Sequence, residues 1–286
     1  FPAEDRLVRH TGGFRSAARN RGIAEQVRMT SAVQDKLSAL KGDPRIGSLR
    51  RSLEIYYGNA ARDAAMDALY ARFIGPGDLA FDIGAHVGDR VGAFRRLGAK
   101  VVAVEPQPDC MYVLRALYKD DPEVTFVEAA CSRKPGHLVL HVNSANPTVT
   151  TASRAFVASA SGAAGWEEQV WDREIEVETT TLDDLICRFG KPRFVKIDVE
   201  GLEADVIAGL SSPLPALSFE FTTIQREVAL ECIDRLLGLG PYRFEIALGE
   251  SQVLKFGEWV SGYRMKEFIR SLPHEANSGD VYAVEI

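Results

Sequence analysis

The stretch LAFDIGAHVGD, residues 79–89, decides how this chain is interpreted. An apolar run ends in Asp82, turns through Gly84, and reaches a second glycine, Gly88, before a helix-like segment. Glycine permits a sharp turn and lets the backbone approach a ligand with no Cβ in the way. The amino terminus of the following helix offers free N–H groups to a carboxylate or a phosphate. The stretch therefore predicts a buried β-strand followed by a ligand-binding turn.

Short apolar segments and amphipathic segments alternate downstream of this turn. The apolar segments read LAFDI, KVVAVE, VTFVEA, FVKIDV and ALSFEF. Strands that are apolar on both faces and joined by helices are typical of a parallel sheet covered on both sides. Crossovers of this kind are almost always right-handed. The sequence predicts a doubly wound, mostly parallel α/β sheet.

The remaining segments flank this pattern. Residues 1–74 contain no strand-like run and are predicted to form a helical arm or cap, so the sheet domain is predicted to cover residues 75–286. Residues 143–171 lack a clean period and are expected to form a long loop with one short helix, between the strands HLVLHV and EIEVETTT. The segments FEIAL and VYAVEI are expected to close the sheet as an antiparallel hairpin.

Composition excludes several classes of protein. The 286 residues are 46% hydrophobic and 26% charged, which is typical of a globular protein and not of a disordered one. A formal net charge of −6 argues against a nucleic-acid partner, and no apolar run reaches the length of a membrane span. Four widely spaced cysteines without a C-x-x-C pair fit reduced thiols, so a cytoplasmic location is expected.

The second predicted strand ends in Glu105, which lies 21 positions after Gly84. An acid at this distance lies beside the glycine turn and can accept hydrogen bonds from both hydroxyls of a ribose. The pair therefore predicts an adenosine-containing ligand.

The turn distinguishes between adenosine ligands. A dinucleotide site requires G-x-G-x-x-G, but His86 and Asp89 occupy the positions of the second and third glycines. Asp82 would also repel a pyrophosphate. An acid at this position suits a ligand with a cationic amino group, and S-adenosylmethionine carries one, while its carboxylate can bind the N–H groups of the turn. S-adenosylmethionine is the predicted cofactor.

Four segments then resemble the FkbM family of S-adenosylmethionine-dependent methyltransferases. They read, in chain order, PGDLAFDIGAHVGD, VVAVEPQP, TTTLDDL and VKIDVEGLEADVIAGL. The resemblance implies a seven-stranded class I methyltransferase sheet, Rossmann-like, with an antiparallel last strand. It also implies methyl transfer, usually to a hydroxyl oxygen of a sugar or secondary metabolite.

The resemblance carries over residue by residue. It implies that the methionine end binds between Asp82 and Gly88, the ribose at Glu105, and the adenine after the third strand. The expected cofactor-binding residues are Asp82, Gly84, Ala85, His86, Gly88, Glu105, Pro106, Ala129, Ala130 and Asp198. The chain departs from the family at two places: His86 replaces the usual Asn, and Arg62 or Asp63 stands where the preceding helix usually carries an acid.

Acids at the ends of the fourth and fifth strands are the candidate catalytic groups. Asp198 and Glu200 follow the strand FVKIDV and are expected to face the cleft, where a carboxylate can accept a hydroxyl proton or orient the acceptor. Glu200 can instead begin a helix, and Glu220 can line the cleft or form an ion pair. Three acids near one cleft could hold a divalent cation. No ligand spacing demands one, so no metal is predicted. Lys196 is expected to pair with an acid.

The leading functional prediction is O-methylation of a small-molecule or glycan acceptor by a cytoplasmic enzyme. Two alternatives stay open at this point. One is a non-catalytic S-adenosylmethionine-binding module whose helical arm mediates homodimerisation. The other is a nicotinamide-dependent oxidoreductase, against which the missing glycines argue.

Overall fold

The chain is described here by a computed structural model, which covers residues 33–286. The part of the predicted helical arm that covers residues 1–32 lies outside this range. The helices are α1 (33–41), α2 (Arg50–Tyr56), α3 (Ala60–Tyr70), α4 (Asp89–Arg96), α5 (Pro108–Tyr118), α6 (Arg154–Ala160), α7 (Leu182–Phe189), α8 (Glu203–Ala208), α9 (Arg226–Leu239) and α10 (Gly262–Ser271). The strands are β1 (Leu79–Ile83), β2 (Lys100–Val104), β3 (Val124–Val127), β4 (Ala130–Cys131), β5 (Gly136–Val142), β6 (Arg173–Thr180), β7 (Phe194–Ile197), β8 (Ala216–Thr222), β9 (Tyr242–Leu248) and β10 (Ser278–Glu285).

The main sheet has seven strands in the order β3-β2-β1-β7-β8-β10-β9. All neighbours from β3 to β8 are parallel, and β10 is antiparallel to both β8 and β9. This confirms the predicted mostly parallel sheet of the class I methyltransferase type, with an antiparallel last strand. The strand order reverses between β1 and β7, so the crevice at their carboxyl ends is where such a sheet binds ligands.

Both faces of the sheet are covered, because its central strands are apolar on both sides. Phe81 and Ile83 of β1 contribute to a core that includes α8, α9 and α10 on one face. Ala80 of the same strand points into a second core, formed with α3, α4 and α5 on the other face. Alternate residues of one strand thus serve two cores, as expected for a doubly wound fold.

The described part of the predicted arm is helical, and its last helix packs directly on the sheet. The Tyr70 ring lies edge-to-face with Phe94, with ring centroids 4.9 Å apart. Phe73 stacks on Phe194 of β7 at 4.9 Å and on Tyr282 of β10 at 5.6 Å. Helix α3 therefore shares a core with the sheet, and the domain boundary at residue 74 stays a prediction.

A small second sheet and the long predicted loop lie beside the third strand. This sheet has the order β4-β6-β5, with β5 antiparallel to β6. Residues 143–171 contain a 3₁₀ turn, Pro147–Val149, and the single short helix α6, which agrees with the expectation for this loop. Trp166 and Trp171 both lie edge-to-face against Phe156 of α6, which anchors the loop.

The carboxyl-terminal region differs from the predicted hairpin. Strands β9 and β10 are antiparallel neighbours, but α10 lies between them in the chain. Met265 and Ile269 of this helix are fully buried on α9 and β9, so the helix is fixed by tertiary packing. Met265 and Ile269 are four residues apart, so the sequence did carry a helical pattern here that the hairpin prediction overlooked.

Two further sequence expectations concern the cysteines and the membrane. Three of the four cysteines are buried, whereas Cys187 is exposed, and all four are free thiols. Across residues 33–286, none of the helices has the length and hydropathy needed to cross a membrane.

Candidate active site

A cavity opens at the carboxyl ends of β1, β2, β7 and β8, where the strand order reverses. Each of these four strands brings an acid to the cavity wall. These acids are Asp82, Glu105, Asp198 and Glu220. Every residue predicted to bind the cofactor lines this cavity except Gly88, and Glu200 lines it as well.

Gly84 sets the closest approach between the two central strands. Its φ angle is +83°, and a Cβ built on it would lie 1.8 Å from the Asp198 carbonyl oxygen. Only glycine fits such a position, both for the left-handed backbone and for the space. The group that the Gly84 backbone approaches here is the carbonyl at the end of β7, and the predicted approach to a ligand stays a prediction.

The amides of the turn are already used within the protein. The N–H groups of Gly84 and Ala85 donate to the Val104 carbonyl oxygen, at 2.9 and 3.1 Å. The His86 N–H donates to the Glu105 carboxylate at 2.8 Å. The expectation that these amides bind a ligand carboxylate is therefore wrong for residues 84–86.

His86 itself adopts a left-handed conformation with φ +48°. Asparagine and histidine tolerate this region better than most residues do, which explains how His86 replaces the Asn that is usual in the family. Its ring lies edge-to-face with Tyr56 at 5.9 Å. Burial lowers the pKa of His86 to about 4, so the imidazole is neutral at physiological pH.

Gly88 has a packing role that was not predicted. It precedes α4 with φ +86° and is not among the residues that line the cavity. A Cβ at this position would lie 2.6 Å from Leu114 and 2.9 Å from the Tyr118 ring, both on α5. The missing side chain therefore allows α4 to pack against α5, and contact between Gly88 and the cofactor stays a prediction.

Asp82 is a buried acid without a satisfied charge. The residue is 1% exposed, and its Oδ2 atom has no hydrogen-bond partner among the described residues. Burial raises the pKa of Asp82 to about 7, and the nearby Asp89 and Asp198 add to this shift. A buried carboxylate in this state is matched by a cationic ligand group.

Glu105 is both a structural and a candidate binding residue. Its two oxygens accept hydrogen bonds from the amides of His86 and Gln107, each at 2.8 Å. Burial raises the pKa of Glu105 to about 7, against the lowering effect of these bonds. A carboxylate has about four lone-pair sites, so the two that are left can accept the hydroxyls of a ribose.

A charged cluster at the mouth of the cavity was not predicted. The Asp89 carboxylate pairs with Arg62 at 2.8 Å and with the adjacent Arg90. Burial by itself raises the pKa of Asp89, but Arg90 and Arg62 lower it to about 2. Glu250, which follows β9, accepts hydrogen bonds from both arginines at 3.0 and 3.2 Å. Arg62 thus links α3 to the residues at the cavity mouth.

The β7–β8 side of the cavity, which consists of Asp198, Glu200 and Glu220, concentrates negative charge. Lys196 is its buried cation, and the ammonium lies 3.0 Å from Asp198 and 2.7 Å from Asp280 of β10. This confirms the ion-pair role predicted for Lys196. Burial opposes its charge, but the two acids raise the pKa of Lys196 well above its ordinary value.

The three carboxyls on this side differ in their ionisation. Burial would raise the pKa of Asp198, but Lys196 and Arg90 hold it below its ordinary value. Burial together with neighbouring acids raises the pKa of Glu200 and of Glu220 well above the usual range. The carboxyl of Glu220 lies beside that of Asp198 and also lowers its pKa.

The backbone presents Glu200 to the cavity in an unusual conformation. Its φ angle is +54°, and its carbonyl oxygen accepts a hydrogen bond from the Thr151 hydroxyl of the long loop. Helix α8 begins only at Glu203, whose carboxylate accepts from the amides of Val199 and Gly201 at 3.0 and 3.1 Å. The alternative role considered for Glu200, a helix-start acid, thus belongs to Glu203.

Several cavity residues were missed by the sequence analysis. They come from α4, from the segment after β2, from the second sheet and from the segment after β9. They are Arg90, Gln107, Leu138, Leu140 and Glu250. Tyr56 of the arm and Thr148, Thr150 and Ala152 of the long loop line the cavity as well. Only Arg90 and Gln107 carried a usable signal, since each lies within two residues of a predicted site residue.

The fold is that of a class I, Rossmann-like methyltransferase, as the strand order, the glycine turn and the acids Asp82 and Glu105 indicate. The family described as "Methyltransferase FkbM domain" matches residues 82–239, which is more than half of the chain. The chain belongs to this family of methyltransferases and takes S-adenosylmethionine as its cofactor. Membership agrees with the resemblance that the sequence segments carry.

Solved structures with a similar fold have low sequence identity to this chain. An O-methyltransferase from Bacillus cereus in complex with SAH is 11% identical, with 91% of each chain covered and a TM-score of 0.41. Fibrillarin from Aeropyrum pernix with bound S-adenosyl-L-methionine is 12% identical, covering 77% of this chain and 73% of that one at a TM-score of 0.41. Precorrin-6y C5,15-methyltransferase from Geobacter metallireducens is 15% identical, and the match covers 78% of this chain and 87% of that one at a TM-score of 0.39. No curated protein matches the sequence.

Proposed function

We propose that this methyltransferase transfers the methyl group to a hydroxyl oxygen of a small-molecule or glycan acceptor. The observation that carries the proposal is the set of carboxyl groups, Asp198, Glu200 and Glu220, that faces the cavity beside the Gly84 turn. A hydroxyl must lose its proton during methylation, and a carboxylate within reach can accept it.

The other side of the cavity fits the cofactor. Asp82 offers an unpaired buried oxygen to an ammonium, and the remaining lone pairs of Glu105 suit the ribose diol. Arg90, which is 7% exposed and lines the cavity, is the candidate partner of the cofactor carboxylate. Ala129 and Ala130 lie beside Leu138 and Leu140 on an apolar part of the wall that suits the adenine.

The chemistry follows from these positions. S-adenosylmethionine supplies an electrophilic methyl group on a sulfonium. The acceptor oxygen forms a bond to the methyl carbon while the carbon–sulfur bond breaks and its electron pair returns to sulfur. The hydroxyl proton passes to a carboxylate on the β7–β8 side. The chain contributes alignment of the acceptor, removal of the proton and exclusion of water.

Asp198 and Glu200 are then the proposed catalytic residues, with Glu220, which lines the same cavity, as a third group. Asp198 is the best candidate to orient the acceptor, because the Lys196 ammonium fixes its carboxylate at 3.0 Å. The residues of the long loop that line the cavity, Thr148, Thr150 and Ala152, are positioned to contact the acceptor. A cytoplasmic location and a homodimer mediated by the arm stay proposals.

An acceptor screen tests this function. The full chain is incubated with S-adenosylmethionine and a panel of sugars and hydroxylated metabolites, and release of S-adenosylhomocysteine is measured. We expect release that depends on a hydroxylated acceptor, a product with one added O-methyl group, and at least tenfold slower turnover in Asp198→Asn. Glu176→Gln, an exposed acid on β6, is the matched control. A product methylated on nitrogen or carbon, or turnover equal in Asp198→Asn, would reject the proposal.

A further inference from the structure

The cluster of Asp198, Glu200 and Glu220 has the dimensions of a cation site. One carboxylate oxygen from each residue lies within 4.8 Å of the others. Two oxygens on opposite sides of a Ca²⁺ ion, each at about 2.4 Å, are about 4.8 Å apart, and oxygens around Mg²⁺ are closer. The cluster can therefore surround a divalent ion with small side-chain adjustments.

Glu200 provides an independent indication that a ligand is needed. The residue is 9% exposed, and its side chain has no hydrogen bond or ion pair with any residue in 33–286. It nevertheless points into the space that it shares with Asp198 and Glu220. An isolated buried carboxylate is costly unless it is paired or coordinates a metal. A cationic group from outside the protein would therefore supply the partner that the Glu200 carboxylate lacks.

The protein's own cations do not fulfil this role. Lys196 is committed to Asp198 at 3.0 Å and to Asp280 at 2.7 Å, so its charge is shared between two other acids. The ion pairs of Arg90 are with Asp89 and Glu250, and none of them is with the three carboxyls. No other lysine or arginine of the described chain lines the cavity. The β7–β8 side consequently has more carboxyl groups than cations to pair with them.

We propose that Asp198, Glu200 and Glu220 bind one divalent metal ion, of the Mg²⁺, Mn²⁺ or Ca²⁺ type, that binds and orients the acceptor. All three proposed ligands are carboxylates, the kind that these hard cations prefer. An octahedral ion held by three protein oxygens keeps three positions for water or for oxygens of the acceptor. A metal-bound hydroxyl loses its proton more readily. This inference rests on the proposed O-methylation, because it places the ion on the acceptor side of that same cavity.

Metal binding is measured directly, with Mn²⁺ as the probe. The full chain is first treated with a chelator and dialysed, and free Mn²⁺ is then followed by electron paramagnetic resonance during a titration. We expect one Mn²⁺ per chain for the wild type, and affinity at least tenfold weaker in Glu200→Gln and in Glu220→Gln. Glu176→Gln, the same substitution on an exposed strand, should bind Mn²⁺ like the wild type. A wild type without stoichiometric Mn²⁺, or variants that bind it equally well, would overturn the proposal.

Thermal unfolding provides a second measurement that does not depend on activity. Replacing one of three crowded acids relieves repulsion, so both variants should melt at or above the wild-type temperature without metal. Mn²⁺ should raise the melting temperature of the wild type and of Glu176→Gln only, since a ligand stabilises the state that binds it. An equal rise in the two site variants would contradict the assignment.

S-adenosylhomocysteine binding in the presence of the chelator separates this inference from the proposed function. Binding of that ligand without binding of Mn²⁺ would remove the metal site and leave the methyltransferase cavity intact. Mn²⁺ binding together with a product methylated on nitrogen would retain the site but reject O-methylation.

Discussion

The two sides of the cavity differ in how their buried acids are stabilised. On the β1–β2 side, which consists of Asp82 and Glu105, the acids stand apart, and Glu105 is satisfied by two backbone amides at 2.8 Å. On the β7–β8 side, three carboxyls gather within 4.8 Å, and the one ammonium beside them pairs with Asp198 and with Asp280 of β10. The first side is preorganised for a ligand of fixed shape, whereas the second concentrates charge where chemistry is needed.

Gly84 is the point at which the two sides meet. Its backbone belongs to the β1 turn, yet its missing side chain accommodates the carbonyl oxygen at the end of β7. The distance between a cofactor on one side and an acceptor on the other is therefore set by one residue without a Cβ. The comparison shows that the fold determines the distance between the two sides of the cavity as well as the positions of the acids.

The largest expected effect tests this separation. Gly84→Ala places a Cβ 1.8 Å from a backbone oxygen at a φ of +83°, so a strand end must shift. We expect a loss of at least about 4 kcal/mol in the free energy of unfolding, measured by urea denaturation. Gly77→Ala is the matched control, because Gly77 has φ +85° but no atom within 4 Å of the added Cβ. It should cost only about 1–3 kcal/mol. Equal losses of stability in the two variants would show that position 84 requires glycine because of its positive φ angle and not because of the contact with the Asp198 carbonyl oxygen.

The next effect concerns the single ammonium of the β7–β8 side. Lys196→Met leaves Asp198 and Asp280 without their partner in a site where Lys196 is 1% exposed. Removing one partner of a buried pair costs about 3–5 kcal/mol, which urea denaturation at pH 7 should show. Lys100→Met is the control on strand β2, where the ammonium lies 3.7 Å from Glu123 and the lysine side chain is 58% exposed. Its loss should cost less than about 1 kcal/mol. A small effect at Lys196 would mean that the acids there are protonated and need no cation.

The sequence allowed much of the β1–β2 side to be predicted, because its geometry is local. Asp82, Gly84 and Glu105 belong to one strand-helix-strand unit, and the spacing within such a unit fixes which residues meet. Gly88 shows the limit of this reasoning. A glycine that serves helix packing and one that serves a ligand turn look the same in a sequence, and only the Leu114 and Tyr118 contacts distinguish them.

The β7–β8 side and the cavity mouth depend on contacts that no local pattern reveals. Lys196 meets Asp280 across 84 residues, and Arg90 meets Glu250 across 160. Glu220 was recognised as an acid in a strand, but its place beside Glu200 follows from the pairing of β7 with β8. Helix α10 is a different case, because its buried Met265 and Ile269 have helical spacing in the sequence, and this local pattern was overlooked.

A third test addresses cofactor affinity on the β1–β2 side. Asp82→Asn keeps the shape of the side chain but removes the charge offered to an ammonium. We expect S-adenosylhomocysteine to bind about 10–100-fold more weakly by calorimetry, which corresponds to the loss of one charge-assisted hydrogen bond. The free energy of unfolding of the ligand-free protein should stay equal or rise, because a buried charge is removed. Asp234→Asn, an acid whose side chain is 59% exposed on α9, should leave affinity unchanged. Unchanged affinity in Asp82→Asn would place the ammonium elsewhere.

The smallest expected effect is a pH dependence that runs in opposite directions for stability and for binding. The pKa of Asp82 in the folded protein is raised to about 7 by burial, and that of Glu105 likewise. In the folded protein these two carboxyls keep protons at pH values at which they are ionised in the unfolded chain. The stability that they contribute is therefore present at low pH and is lost as pH rises through 7. The pKa of His86, lowered by burial to about 4, acts in the opposite sense, since its contribution is lost as pH falls below its ordinary value. Two carboxyls outweigh one imidazole, and stability without ligand should fall between pH 6 and pH 8.

Cofactor binding needs the ionised Asp82, so affinity for S-adenosylhomocysteine should instead rise by up to about tenfold over the same interval. Asp82→Asn should flatten the binding profile, and a wild-type profile that is already flat would show that Asp82 is ionised throughout, as the acids of a fully solvated site are.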